Sequence, residues 1–166
     1  MKGRWTTVYL SLGANRGERA AQIEQALRLL GEGGVPVRRR SSLYETEPVG
    51  MRSRRWFLNG VVEVRTQLGP LALLRLVKRI ERQLGRSASR GRRPTARPID
   101  IDIVYYGKRV LRQPKLIIPH PRRLERRFVL EPLRELAPKW RDPVTRQTVA
   151  EMLAQLPDRA TVRRRR

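Results

Sequence analysis

The stretch that most constrains the fold covers residues 97–106, where isoleucines alternate with aspartates. As a β-strand it would divide its side chains between two faces: Ile99, Ile101, Ile103 and Tyr105 on one, and Asp100, Asp102, Val104 and Tyr106 on the other. Side chains two residues apart on one face lie roughly 6.5–7 Å from each other, so Asp100 and Asp102 could bind hard cations together. Taken alone, the pattern is also typical of an amphipathic strand with two solvated acids.

The chain length of 166 residues suits one domain with one core. We expect a single domain over residues 1–160 and a disordered basic tail over residues 161–166. Cysteine is absent, which excludes disulfides and thiolate metal sites and fits a cytoplasmic protein. No apolar run approaches the roughly 20 residues of a membrane span, and the first residues are too few and too polar for a signal peptide. The expectation is a cytoplasmic monomer that does not enter a membrane.

The formal net charge is +23, from 38 Lys and Arg against 15 Asp and Glu. Such an excess attracts polyanions, so nucleic acid is a candidate partner. The basic residues are scattered, however, and few aromatic side chains lie among them, which argues against a base-stacking platform or a recognition helix. Any nucleic-acid binding is therefore expected to be nonspecific. A basic protein that keeps the fold but acts on RNA or another polyanion stays open as the alternative function.

The periodicity of apolar residues predicts strand, helix, strand, strand, helix and strand in that order. The expected elements are residues 6–12, 17–31, 37–46, 57–66 and 70–84, followed by the strand with the two aspartates. Shorter elements are expected around residues 109–111, 116–118, 122–126, 132–136 and 149–156, and residues 86–97 should form a mobile loop. This order is typical of an α+β, ferredoxin-like (split βαβ) antiparallel sheet with its helices packed on one face. The other face would then carry ligands.

The residue types around the aspartates suit a site that handles phosphates. Such a site needs cations, guanidinium groups for the non-bridging oxygens, and a donor near the leaving oxygen. Asp100 and Asp102 could hold Mg²⁺ next to Arg97, and His120 with Arg126 could complete the clamp. The sequence contains neither a P-loop nor the catalytic and metal-binding motifs of protein kinases. Phosphoryl transfer would therefore use another fold.

Residues 93–104, which read RPTARPIDIDIV, resemble the signature of the 6-hydroxymethyl-7,8-dihydropterin pyrophosphokinase family. Further stretches resemble the family's motifs in the right order: residues 9–15, 44–50, 57–60, 80–86, 118–121 and 126–133. The resemblance covers about residues 6–156. Four residues stand where the family more often has others: Lys78, Pro94, Thr95 and Pro121.

The resemblance implies transfer of pyrophosphate from ATP to the hydroxymethyl group of the pterin, a step of folate biosynthesis. The pterin oxygen would attack the β-phosphorus of ATP in line, and AMP would leave. Two Mg²⁺ ions would bind Asp100 and Asp102.

The same resemblance implies a role for each matching residue. The catalytic residues would be Arg97, Asp100, Asp102 and His120. ATP would contact Lys78, Glu81, Arg86, Arg93, Arg97, Ile103, His120 and Arg126. The pterin would contact Thr46, Val49 and Asn59, with its ring between Phe57 and Phe128. Read without the family, the two phenylalanines could equally be core residues, and Lys78 with Glu81 a surface pair.

Overall fold

The computed structural model describes residues 3–48, 55–88, 98–157 and 160–165, and for residues 86–88 it describes the backbone alone. The first half contains β1 (Thr6–Ala14), α1 (Arg19–Glu32), β2 (Val37–Arg40), β3 (Tyr44–Thr46), β4 (Phe57–Thr66) and α2 (Pro70–Ala88). The second half contains β5 (Asp100–Tyr106), β6 (Leu111–Gln113), β7 (Leu116–Ile118), a 3₁₀ turn (Arg123–Glu125), α3 (Arg127–Leu136), α4 (Val149–Ala154) and β8 (Val162–Arg164). The helices within these ranges are too short or too polar to span a lipid bilayer.

The main sheet has the strand order β5-β1-β4-β3-β8, with β2 also paired to β4, and its pairings are antiparallel. This confirms the predicted ferredoxin-like α+β fold. The strand expected at residues 37–46 is split into β2 and β3. The reason is local: the hydroxyl of Ser41 accepts a hydrogen bond from the N–H of Val61 at 2.9 Å, where an unbroken strand would offer a backbone carbonyl.

Helices α1 and α2 pack on one face of the sheet, as predicted. The buried stripe of α2 consists of the residues expected from its spacing: Leu73, Val77, Ile80 and Leu84. Alternate residues of β1 (Val8, Leu10 and Leu12) meet this stripe from the sheet side. The helix buries one side chain every three or four residues and the strand buries every second one, and these two rows of side chains form the contact between the layers.

A bulge in β5 changes which residues share a face. Tyr9 of β1 pairs with Tyr105, but the next residue, Leu10, pairs with Ile103, so Val104 is the extra residue. Because one extra residue inverts the alternation beyond it, Tyr106 joins the core under α1 and α2 and Tyr105 lies on the opposite face. The predicted faces of these two tyrosines were wrong, whereas those of the isoleucines and aspartates were right.

The opposite face of the sheet is partly covered by α3 and α4. Tyr9, Val61 and Tyr105 pack there with Leu130 and Leu133 of α3. The ferredoxin-like sheet thus carries helices on its second face as well as on the first. The end of the sheet that bears Asp100 and Asp102 lies beyond this second cluster, next to the start of α3.

The end of the chain differs from the expected disordered tail. Residues Val162–Arg164 form β8, which extends the sheet by pairing with β3. At the other predicted irregular region, α2 continues to Ala88, so part of the loop expected at residues 86–97 is helical. Residues 89–97 lie outside the described residues.

Candidate active site

A pocket of about 640 Å³ opens on the face of the sheet that bears the two aspartates. It brings together seven residues that the sequence analysis singled out: Thr46, Phe57, Asn59, Asp100, Asp102, Arg126 and Phe128. His120 lies beside it, with Nε2 3.9 Å from Oδ2 of Asp102. Predicted site residues as far apart in sequence as Thr46 and Phe128 therefore line the same pocket.

The floor of the pocket follows from the strand register. Gly13 of β1 pairs with Asp100 of β5 on one side and with Asn59 of β4 on the other. Residues paired across antiparallel strands share a face, so the carboxylate and the amide flank the glycine. A Cβ at Gly13 would lie 2.4 Å from Oδ1 of Asn59, so only glycine leaves room for this side chain. Gly13 and its neighbour on this face, Ser11, were not among the predicted site residues.

Asn59 and Thr46 form the polar edge of one end of the pocket. The Asn59 amide nitrogen donates to the Thr46 hydroxyl at 2.6 Å, and both side chains are buried. Phe57 lies two residues before Asn59 on the same face of β4 and is paired with Thr46 of β3, and Phe128 approaches from the start of α3. Both phenyl rings are half-buried, so neither is enclosed as a core residue would be.

Asp102 is approached by Arg126 and by His120 at the other end. Nη1 of Arg126 donates to Oδ2 of Asp102 at 3.2 Å, and the same guanidinium lies over the ring of Phe128 at 5.4 Å. Nδ1 of His120 accepts from the N–H of Arg122 at 3.1 Å, which leaves the proton of the neutral ring on Nε2. Burial lowers the pKa of His120, and the charge of Asp102 opposes that shift only in part. Near neutral pH the ring is therefore an uncharged donor at Nε2.

A buried ion pair supports the turn that carries His120, and the sequence analysis missed it. Arg123 donates from Nη1 to the carbonyl of His120 at 3.1 Å and from Nη2 to Oδ1 of Asp142 at 3.0 Å. The hydroxyl of Tyr105 donates to Oδ2 of the same carboxylate at 2.6 Å. Burial alone would raise the pKa of Asp142, but the hydrogen bonds from Arg123, Tyr105 and the backbone hold it well below its ordinary value. No local sequence pattern indicates a contact between two residues that are 19 positions apart.

Glu81 fixes the outer edge of the aspartate strand. Its carboxylate accepts from the backbone N–H of Ile101 at 3.1 Å and pairs with Nζ of Lys78 at 3.1 Å. Glu81 is buried, so the alternative prediction that it is a surface residue was wrong, although its pair with Lys78 is present. Ile103 lies in the core beneath α2, on the opposite face from Asp102. The predicted ATP contacts of these residues stay predictions.

Three predicted site residues, Val49, Arg93 and Arg97, lie outside the described residues. Arg86 lies in α2, where the backbone alone is described.

The two aspartates suit magnesium. The residues that the structure describes contain no group of three or more His, Cys, Asp or Glu side chains that could hold a metal ion. Mg²⁺ does not require one, because it commonly binds one or two carboxylates together with water and substrate phosphates. Asp100 is exposed and the side chain of Asp102 is 38% exposed, so both can reach a cation in the pocket.

Comparison with known proteins shows the family of the chain. Residues 9–138 match the model of the family described as 7,8-dihydro-6-hydroxymethylpterin-pyrophosphokinase (HPPK). The chain belongs to the HPPK family. The 2-amino-4-hydroxy-6-hydroxymethyldihydropteridine pyrophosphokinase of Bacillus subtilis (strain 168) is 43% identical over 129 residues, covering 77% of this chain and 76% of that protein. The protein of the same name from Porphyromonas gingivalis is 43% identical over 140 residues, covering 82% of this chain and 93% of the relative.

Other HPPK relatives are much longer than this chain. The mitochondrial folate synthesis bifunctional protein of Arabidopsis thaliana is 48% identical over 129 residues, which cover 78% of this chain and 23% of that protein. Across this and three similar plant and fungal proteins, the chain spans 20–26% of the relative's length. Among solved structures, wild-type Plasmodium falciparum HPPK-DHPS with pteroate superposes with a TM-score of 0.75 at 16% identity, covering 93% of this chain and 45% of that one. This likeness supports the fold.

Proposed function

We propose that this chain transfers pyrophosphate from ATP to the hydroxymethyl group of 6-hydroxymethyl-7,8-dihydropterin, with AMP as the second product. The observation that carries the proposal is a single pocket with two chemically distinct ends. One end combines Asp100 and Asp102 with Arg126 and the neighbouring His120, and the other combines a buried amide with two half-buried phenyl rings.

The second end suits a flat heterocycle. Phe57 and Phe128 can each offer an aromatic face to a ring placed between them. The edge of such a ring carries donors and acceptors, and an asparagine amide supplies both. Because Asn59 is anchored to the Thr46 hydroxyl, its amide plane is fixed before any ligand arrives.

The first end suits a chain of phosphates. Arg126 has a planar guanidinium that can bind two non-bridging oxygens at once, and its stacking on Phe128 places it between the two ends of the pocket. Asp100 and Asp102 would hold Mg²⁺, which when bound would neutralise phosphate charge. The neutral His120 ring can donate from Nε2 to the oxygen that leaves with AMP.

In this mechanism the pterin hydroxymethyl oxygen bonds to the β-phosphorus as the bond from that phosphorus to the α,β-bridging oxygen breaks. That oxygen leaves with AMP, and the hydroxyl proton leaves to water. The chain contributes mainly by holding the two substrates in line and by placing donors where charge develops. The rigid sheet floor, with Asn59 and Asp100 on either side of Gly13, sets the distance between them.

The test is incubation of the purified chain with ATP, Mg²⁺ and the pterin alcohol, followed by separation of the nucleotides. We expect AMP and the pterin diphosphate in equal amounts. Asp100→Asn and Asp102→Asn should each lower the rate by about 100-fold or more, since each weakens the site that would hold Mg²⁺ against the phosphates. The matched control is Glu32→Gln, a carboxylate lost from an exposed helical pair on α1, which should leave the rate unchanged. ADP as the nucleotide product would overturn the proposal.

A further inference from the structure

The C-terminal strand β8 lines the pocket, although it lies beyond the residues that match the family model. Val162 of β8 pairs with Thr46 of β3, and Thr46 pairs in turn with Phe57 of β4. Directly paired residues share a face, so Val162 lies on the same face as the polar edge and one of the rings. Ala160, just before the strand, also lines the pocket.

Hydrogen bonds along the backbone hold this strand in place. The N–H of Glu47 donates to the carbonyl of Thr161 at 3.1 Å, and the N–H of Thr161 donates back to the Glu47 carboxylate at 3.3 Å. The N–H of Arg165 donates to the carbonyl of Leu43 at 2.8 Å. The strand is therefore bonded at both of its ends to the chain on either side of β3.

Two arginine side chains add specific contacts. Arg164 donates from Nε to the Ser42 hydroxyl at 2.9 Å and pairs with Glu135 of α3 at 3.4 Å. Arg163 lies over the ring of Trp56 at 4.5 Å, directly before Phe57. These contacts tie β8 to β3, to α3 and to the segment that leads into β4, which are the elements that surround the heterocycle end.

We propose that β8 is a wall of the heterocycle end of the pocket and that Val162 is a specificity-determining residue there. The inference rests on the proposed function, because the ligand at this end is the pterin. Valine is apolar, branched and half-buried at this position, so it offers a flat heterocycle a hydrophobic edge contact and limits the size of substituents on that side. The arginines around it fix the strand and leave the wall itself uncharged.

The experiment compares Val162→Phe and Val162→Ala in the full chain, with Val110→Phe as the matched control at an exposed valine away from the pocket. Calorimetry gives the Kd for the pterin alcohol and, separately, for a nonhydrolysable ATP analogue, and thermal unfolding gives Tm. Val162→Phe should weaken pterin binding by about tenfold, as overpacking of a fitted site does, with ATP-analogue affinity within twofold of wild type. Val162→Ala should improve binding of a pterin that carries a bulkier substituent relative to the parent pterin. Val110→Phe should change neither affinity.

The outcomes separate the two claims. Pterin affinity unchanged in both Val162 variants overturns the specificity role while the proposed function stands. Equal losses of pterin and ATP-analogue affinity together with a lower Tm overturn it as well, because they assign Val162 a structural role only. Wild-type chain that binds the ATP analogue but no pterin overturns the proposed function and this inference with it. Val162→Ala shortens the side chain and cannot clash with its neighbours, so the specificity role can still be tested if Val162→Phe does not fold.

Discussion

The buried pair of Arg123 and Asp142 provides the sharpest test of the structure. Asp142 is completely buried and Arg123 is 7% exposed. Besides its two contacts with the guanidinium, the Asp142 carboxylate accepts from the Tyr105 hydroxyl at 2.6 Å and from the N–H groups of Val144 and Thr145 at 2.9 and 3.0 Å. Asp142→Ala removes every one of these acceptors and leaves the guanidinium buried without its counter-charge.

The expected loss is about 3–5 kcal/mol in the free energy of unfolding, the usual cost of removing one member of a buried ion pair. For a domain of this size, each kcal/mol lowers Tm by about 2–4 °C, so the variant should unfold roughly 10 °C earlier. Urea unfolding followed by circular dichroism gives the free energy directly. The matched control is Glu32→Ala, whose partner Arg28 lies on the same helix and whose side chain is 58% exposed; it should cost no more than about 0.5 kcal/mol.

A double variant identifies the cause of the loss. Arg123→Met combined with Asp142→Leu removes both charges while keeping apolar volume, so it should recover part of the stability. The rest stays lost because the Tyr105 hydroxyl and the N–H groups of Val144 and Thr145 still lack an acceptor. If Asp142→Ala cost no more than Glu32→Ala, or if the double variant were less stable than Asp142→Ala, the reasoning about an uncompensated buried charge would be refuted.

The same pair predicts a pH dependence. The pKa of Asp142 is lower in the folded chain than its ordinary value of 3.8. A lowered pKa contributes stability that is fully present above the ordinary value and is lost as the pH falls towards the folded value. Wild-type stability should therefore decline below about pH 4. The decline should be shallower in Asp142→Ala, which has no carboxyl group to titrate there; equal slopes in urea unfolding at several acidic pH values would contradict the assignment.

Three further changes test the site and its support. Gly13→Ala places a Cβ 2.4 Å from Oδ1 of Asn59, so the Kd for the pterin measured by calorimetry should rise by about tenfold. The affinity for the ATP analogue should not change. Unchanged pterin affinity would contradict the role given to Gly13 in the pocket floor. Gly31→Ala, in α1 with open space around it, should raise the unfolding free energy by about 0.5–1 kcal/mol, and a loss of stability would show that the helix is not as described. Glu81→Ala leaves the N–H of Ile101 without its acceptor and should cost about 1–3 kcal/mol in urea unfolding; an unchanged urea midpoint would mean that the carboxylate does not secure the strand.

The parts of the fold predicted correctly are those in which periodicity decides the structure. The strand expected at residues 57–66 and the buried stripe of α2 are both present, because each repeats over several turns or alternations. The errors occur where one residue changes the pairing. Ser41 interrupts a strand with its hydroxyl and Val104 is the extra residue of a bulge, and neither event leaves a periodic trace in the sequence.

The end of the chain was mispredicted for a different reason. A run of arginines is usually solvated, so composition favoured disorder for residues 161–166. The structure pairs Arg164 with Glu135 and stacks Arg163 on the ring of Trp56, and both partners lie far away in sequence. Whether a basic segment folds back therefore depends on acceptors elsewhere in the chain, which its own composition does not reveal.

The site shows the same division between local and distant information. The alternation of Asp100 and Asp102 with isoleucines was enough to place both carboxylates on the face away from the main core, and the bulge falls beyond them, so their faces are unaffected. What the alternation could not show is how the strand is held. Glu81 binds its outer edge from α2, and Arg123 reaches from the buried carboxylate of Asp142 to the carbonyl of His120, whose ring faces Asp102.

These supports matter because the aspartate strand lies at the edge of the sheet, with β1 as its neighbour on one side. An edge strand exposes unpaired N–H groups on its outer side and is free to shift unless they are bonded. Glu81 removes that freedom at Ile101, between the two aspartates, while Arg126 and His120 approach Asp102 from the opposite face. A charge-neutralising site gains most when its groups are fixed before the substrate arrives. The buried acids Glu81 and Asp142 thus contribute to the aspartate end of the pocket by positioning the strand and the turn that form it.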